Sequence, residues 1–397
     1  MKTITEKVCV CALLIAAGLI SAVAAENKPH LRFCDLPPQE RTNAETAQAK
    51  PEGDWEGTLD VGVAKLRLVI HVVSKDGALS ATLDSPDQGA TGLSVDTISV
   101  SENSFRFEMK SLGAAYQGKF NEDGSQIKGE FSQVGQTFPL IFNRVGKGET
   151  TPSLLKLERV DVGGRSLNFL VGGEGSPAVL FEGGFGVGIA SWSTVQREIA
   201  AAVQTVSYDR AGLGQSEMGP KPRSAKQIAI ELRTALQKLG VKPPYVLVGH
   251  SLGGVFVRVF ADMYPKEVAG MVLIDPSQEA FDDWTRKHQA DRRKDEEGRI
   301  SKLPEGIRAE WAAIEATYAQ ARAAKVPAGT PVTLISASRD EGMPPEARKE
   351  WIQKQKEWLA NVPGGKHIIA EKSGHFIQAE EPALVIDAIR QIVKRRP

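Results

Sequence analysis

From Trp55 to Arg144 apolar and polar positions alternate with period two, the signature of strands with one buried face. Leu66, Leu68, Ile70 and Val72 share a face, and Phe105, Phe107 and Met109 alternate with Arg106, Glu108 and Lys110. Ile127, Gly129 and Phe131, then Phe138, Leu140 and Phe142, continue the pattern. Turn sequences at Lys75-Asp76-Gly77 and Asn121-Glu122-Asp123-Gly124 separate the runs, so neighbouring strands are expected to pair as antiparallel hairpins. The expectation is a small all-β barrel or sandwich over residues 52–145, with about eight short strands. Its histidine, His71, lies on a mixed face and reads as structural.

After a polar hinge at 146–152 the period changes. Leu155 to Val162 and Ser166 to Val171 flank Gly163-Gly164 as a hairpin, and apolar strands then alternate with helix-period segments to the C-terminus. Ser224 with Gln227 forms a capping-box pattern for a helix whose apolar face is Ile228, Leu232, Leu236 and Leu239. Such alternation predicts a mostly parallel sheet covered on both faces over residues 153–397, with its functional loops at the carboxyl ends of the strands.

The N-terminus reads differently. Lys2 and Lys7 precede an apolar run from Val8 to Val23, and Ala22-Val23-Ala24-Ala25 supplies small residues for cleavage, so 1–25 are expected to be a secretory signal peptide and the chain to be exported, periplasmic or secreted. A short membrane anchor is the alternative. Residues 26–51 read as a flexible tether. Lys plus Arg and Asp plus Glu each number 49, and removal of the signal leaves a net charge of minus one, which argues against a nucleic-acid partner. Cys9 and Cys11 lie in the signal, leaving Cys34 without an intramolecular disulfide partner. No cluster has metal-ligand spacing, and neither metal nor cofactor is expected.

Candidate chemistry centres on Tyr245-Val246-Leu247-Val248-Gly249-His250-Ser251-Leu252-Gly253-Gly254. A buried strand runs into a Gly-x-Ser-x-Gly pentad, and helix spacing follows to Tyr264-Pro265. Strand, tight turn and helix meeting at Ser251 describe a nucleophile elbow, whose crowding demands glycine on either side of an exposed serine. The expected chemistry is serine-dependent hydrolysis.

Together with Tyr208-Asp209-Arg210-Ala211-Gly212-Leu213-Gly214-Gln215-Ser216, Leu273-Ile274-Asp275-Pro276 and Gly374-His375-Phe376, the elbow resembles the α/β-hydrolase family over about residues 155 to 397. The β-rich segment resembles, in general pattern, modules that some exported bacterial hydrolases carry before the catalytic domain. The resemblance implies Ser251 as nucleophile, His375 as base and an acid that orients the imidazole. Asp340, after the strand Val332 to Ala337, is the expected acid; adjacent Glu341 and, as a rarer placement, Asp275 are the alternatives. The oxyanion donors implied are the N–H groups of Leu252 and Gly184, with Phe185 as fallback because Glu182-Gly183 stands where the family commonly has His-Gly. Asp209-Arg210 reads as structural support beneath the site.

Residues 277–330 are polar and helical with Trp284, Trp311 and Tyr318, and are expected to form a cap over Ser251. The partner expected is a small-molecule ester, with no stable membrane span after processing. A peptidase or amidase of the same fold is one rival, and a non-catalytic binding protein another. Acyl and alcohol specificity and oligomeric state are not legible.

Overall fold

The computed structural model describes residues 50–395 apart from 63–64, 89, 134, 147–153 and 340–342. The expected signal peptide, nearly all of the tether and most of the hinge lie outside the described residues, as do Cys34, Asp340 and Glu341.

Strands β1 (Gly53–Asp60), β2 (Lys65–Lys75), β3 (Ala78–Ser85), β4 (Ala90–Ser94), β5 (Thr97–Ser101), β6 (Ser104–Met109), β7 (Ala114–Phe120), β8 (Gln126–Gln133) and β9 (Gln136–Val145) form one antiparallel nine-stranded sheet. Its order, β4-β3-β2-β1-β9-β8-β7-β6-β5, is up-and-down except where β9 returns beside β1. The alternating apolar positions all turn inward: Trp55, Leu68, Ile70, Phe105, Phe107, Phe131 and Phe142 are fully buried. Tyr116 sits among these rings, edge-on to Phe142 at 5.1 Å, and its hydroxyl donates to the Ile127 carbonyl at 2.9 Å. His71 is held between Asp54 at 2.7 Å and Asp84 at 3.2 Å, across three adjacent strands.

The second sheet has the order β10-β11-β13-β12-β14-β15-β16-β17, built from β10 (Leu155–Asp161), β11 (Ser166–Gly172), β12 (Ala178–Glu182), β13 (Thr205–Asp209), β14 (Tyr245–His250), β15 (Val268–Ile274), β16 (Val332–Ala337) and β17 (Lys366–Ala370). The first two are antiparallel, and from β13 to β17 every pairing is parallel. Central strands are buried at every position because helices cover both faces. Trp192 and helices α1 (Ser193–Ala200), α9 (Ile377–Glu380) and α10 (Pro382–Val393) pack on one side; α2 (Ala225–Lys238) and α3 (Leu252–Met263) pack on the other. Cap helices α4 (Glu279–His288), α5 (Ala290–Ile300), α6 (Glu305–Ala312) and α7 (Ile314–Ala323) leave the sheet after β15, and α8 (Pro345–Leu359) joins β16 to β17. This is the α/β-hydrolase fold.

The capping box expected at Ser224 is not made. The first N–H groups of α2 are met from α7 instead: Ala225 N donates to Thr317 Oγ1 at 3.2 Å and Lys226 N to Gln320 Oε1 at 2.9 Å. The two sheets also touch, since Ser193 Oγ donates to the Lys65 carbonyl at 2.8 Å and Arg197 pairs with buried Asp87 at 3.0 Å.

Candidate active site

Ser251 stands between β14 and α3 with φ 53° and ψ −122°, a left-handed conformation that side-chain-bearing residues rarely hold. Its neighbours explain the pentad. A Cβ on Gly249 would lie 2.7 Å from the Gly253 carbonyl oxygen, and one on Gly253 would lie 2.2 Å from that of Glu182. Glycine at these positions lets the first turn of α3 rest on the β12 end and its following loop. The turn is pinned by Ser251 N donating to Ile274 O at 3.0 Å, and by Ser277 N donating to Ser251 O at 3.0 Å.

His375, in the loop after β17, has its Nδ1 2.7 Å from Asp275 Oδ2. The expected acid, Asp340, therefore gives way: the carboxylate on the imidazole is Asp275, which directly follows β15, while Asp340 lies outside the described residues. A carboxylate can only accept, so Nδ1 carries the proton and Nε2 is left as the basic nitrogen. Asp275 is fully buried, with φ 39°. Arg348 donates to both its oxygens at 2.9 and 3.0 Å, Trp351 Nε1 donates at 3.0 Å, Gln355 Nε2 at 3.2 Å and Ala337 N at 3.3 Å. Burial alone would raise its pKa, but the hydrogen bond and charge of His375, followed by those of Arg348, hold it well below the carboxylate range. Arg348, Trp351 and Gln355 lie at i, i+3 and i+7 on α8, so one helix face presents the donors.

His250, immediately before Ser251, also joins the site. Its Nε2 lies 2.8 Å from the His375 carbonyl oxygen, and the two rings are 4.6 Å apart. The contact ties the His375 loop to the elbow. Complete burial, then the neighbouring His375, push its pKa down to about 3, so it donates as a neutral ring.

On the other side of the elbow, a Cβ on Gly184 would come within 3.2 Å of Ser251 Cβ and 3.1 Å of His250 Nδ1. A side chain there would force the elbow to give by a few tenths of an ångström, so the loop after β12 runs close against the serine. Leu252 opens α3 directly after Ser251. Arg210, fully buried, donates to the carbonyls of Gly183 at 2.8 Å and Gly184 at 2.7 Å. In a trans peptide the N–H opposes the C=O, so the N–H groups of Gly184 and Phe185 face away from the guanidinium.

A cavity of about 220 Å³ opens on Ser251 beneath the cap. Leu252, Phe185, Phe281, Trp311, Tyr318 and Trp351 give it aromatic and apolar walls, and Asp282, Gln289, Arg293 and Glu296 add polar groups to its lining. Trp351 also stands edge-on to His375 at 5.9 Å, linking the cavity wall to His375 and Asp275. Among the described residues, no three His, Cys, Asp or Glu side chains are placed to share a metal ion.

Residues 177–299 match the family model described as alpha/beta hydrolase fold. The chain is 28% identical over 224 residues to the uncharacterized protein YqjL of Bacillus subtilis (strain 168), covering 55% of this chain and 85% of that one. It is 34% identical over 107 residues to an AB hydrolase superfamily protein of Gibberella zeae, covering 26% of this chain and only 33% of that relative. Among solved structures, Cfl2 from Burkholderia cenocepacia superposes with a TM-score of 0.47 at 19% identity, over 61% of this chain and 97% of its own.

Proposed function

We propose that this α/β-hydrolase-fold chain is a serine hydrolase that cleaves a carboxylic ester of a compact small molecule through an acyl-enzyme. The observation that carries the reading is the 2.7 Å contact between His375 Nδ1 and Asp275 Oδ2, on loops at the same sheet edge as the strained Ser251. In this reading the Ser251 hydroxyl attacks the ester carbonyl while His375 Nε2 takes its proton. Asp275 holds the tautomer and balances the imidazolium. The N–H groups of Leu252 and Gly184 receive the oxyanion, and the imidazolium returns its proton to the departing alcohol. Water then repeats the sequence on the acyl-enzyme and frees the acid. The small cavity and its aromatic walls favour a short or cyclic apolar group beside the scissile bond, with polar substituents beside Arg293.

Export belongs to the same proposal and is supported by the charged, apolar and small-residue order of 1–25. The test of function is a fluorophosphonate label with peptide mapping, beside nitrophenyl esters of graded acyl length and the matching anilides. Labelling confined to Ser251 with turnover of short esters is expected. Absence of labelling, or faster anilide than ester hydrolysis, overturns the reading.

A further inference from the structure

Arg210, Glu182 and Glu310 form a buried charge cluster that the ester mechanism does not use. All three are almost wholly inaccessible, yet they come from three different parts of the chain: the end of β12, the loop after β13, and cap helix α6. A guanidinium has five N–H donors in a rigid plane, and here each has a partner. Nε reaches Glu310 Oε1 at 2.6 Å; Nη1 reaches Glu182 Oε1 and the Gly183 carbonyl, each at 2.8 Å; Nη2 reaches the Gly184 carbonyl at 2.7 Å and Glu310 Oε2 at 3.0 Å. Glu182 is in turn held by the Tyr208 hydroxyl at 2.6 Å. Glu310 Oε2 also accepts the Gly186 N–H at 3.3 Å, so the cap carboxylate grips the loop at both ends of Gly184-Phe185.

Neighbouring residues of α6 lie along the same loop. Ile307 packs so closely on Gly186 that a Cβ there would lie 3.1 Å from it, and Trp311 meets Phe185 at 5.9 Å between ring centroids. Ile307, Glu310 and Trp311 fall at i, i+3 and i+4, one face of the helix. Phe185 and Trp311 both line the cavity, so the loop and the cap helix meet at its wall.

We infer that cap helix α6 is a working part of the oxyanion hole, with Glu310 acting through Arg210 as a positioning residue that fixes the Gly183-Gly184 and Gly184-Phe185 peptides against Ser251. The inference rests on the serine-hydrolase reading of the same site. Its physical basis is rigidity. The carbonyls of Gly183 and Gly184 are pinned to a plane whose orientation the cap carboxylate sets, and misplacing oxyanion donors by about 1 Å costs on the order of a hundredfold in rate. The cap thus does more than wall the cavity: its seating determines whether the donors are aimed.

Glu310→Gln keeps shape and an acceptor but loses the charge; Arg210→Lys keeps the charge but not the fork. Esterase kinetics, the rate of Ser251 labelling by a fluorophosphonate, and affinity for a trifluoromethyl ketone, whose adduct carries an oxyanion, are measured on the full chain. Glu310→Gln is expected to lower kcat and labelling about tenfold, with KM within about twofold, and to weaken the ketone in proportion to kcat. Arg210→Lys is expected to lose about a hundredfold or more, and the double variant little beyond it, because both act through one contact. Should Arg210→Lys fail to fold, Glu310→Gln alone decides. Wild-type rates of turnover and labelling in folded Glu310→Gln, or a change confined to KM, overturn the inference while leaving the hydrolase reading intact. A wild-type protein that fluorophosphonate does not label overturns the hydrolase reading itself.

Discussion

Asp275 and His375 meet through a 2.7 Å hydrogen bond, although 100 residues separate them in the chain. The carboxylate directly follows β15 and the imidazole follows β17, with β16 between the two strands. Four cap helices, β16, α8 and β17 lie between them in sequence, and at the end of β16 the Ala337 N–H meets the carboxylate at 3.3 Å. This contact distinguishes two carboxylates. Asp275→Asn keeps the shape but favours the wrong imidazole tautomer and is expected to cost about ten-thousandfold in kcat. Asp340→Asn is expected to stay within a few-fold of the wild type, at about 1 kcal/mol or less. Matched kinetics of the two variants check the assignment, and a larger loss for Asp340→Asn would refute it.

In the proposed mechanism Ser251 contributes its hydroxyl to chemistry and little to packing, since it is half-buried at the elbow. Ser251→Ala is expected to lose at least about a thousandfold in turnover and all fluorophosphonate labelling. Its thermal midpoint should stay within a few degrees of the wild type, and a clean preparation that retains ester hydrolysis would remove the serine from the mechanism.

Acid is expected to weaken the fold through two groups at the site. His250 has its pKa lowered to about 3 by complete burial, from 6.5. Its contribution is therefore full above pH 6.5 and is lost as pH falls toward 3, when the unfolded chain takes up a proton that the folded chain refuses. Asp275, held below the carboxylate range, adds a loss that begins as pH drops through about 4, where an unfolded aspartate protonates. Urea midpoints at several pH values should fall steadily below pH 6.5, at up to about 1.4 kcal/mol per unit from His250. His250→Gln retains an N–H for the His375 carbonyl and should flatten the slope between pH 6.5 and 4; an unchanged slope would mean that His250 is not its source.

The all-β sheet touches α1 through the Ser193 bond to Lys65 O and the Arg197 pair with Asp87, while none of the proposed catalytic groups comes from it. Residues 153–397 produced alone should therefore fold and hydrolyse small soluble esters at a rate within a few-fold of the full chain. The thermal midpoint should drop by a few degrees, consistent with about 1 kcal/mol lost per missing hydrogen bond. A folded but inactive fragment would show that the β sheet shapes the site.

Short-range patterns were legible in the chain because they are local in cause. Alternation in 52–145 follows from the pleat, and Phe105, Phe107 and Met109 turn inward as their spacing requires. The glycines around Ser251 reflect one tight strand-to-helix turn, so the pentad announced the elbow without any distant contact. What the sequence could not rank was a set of carboxylates. Asp275 and Asp340 each follow an apolar strand, and Asp340 lies closer to His375 along the chain. Tertiary structure brought to Asp275 the donors on one face of α8, Arg348, Trp351 and Gln355, whose spacing resembles that of any amphipathic helix. The start of α2 and the hub at Arg210 share this logic: Thr317 and Glu310 reach them from cap helices about a hundred residues away. Buried polar groups must find partners wherever packing places them, and packing is set by the whole core rather than by neighbours along the chain.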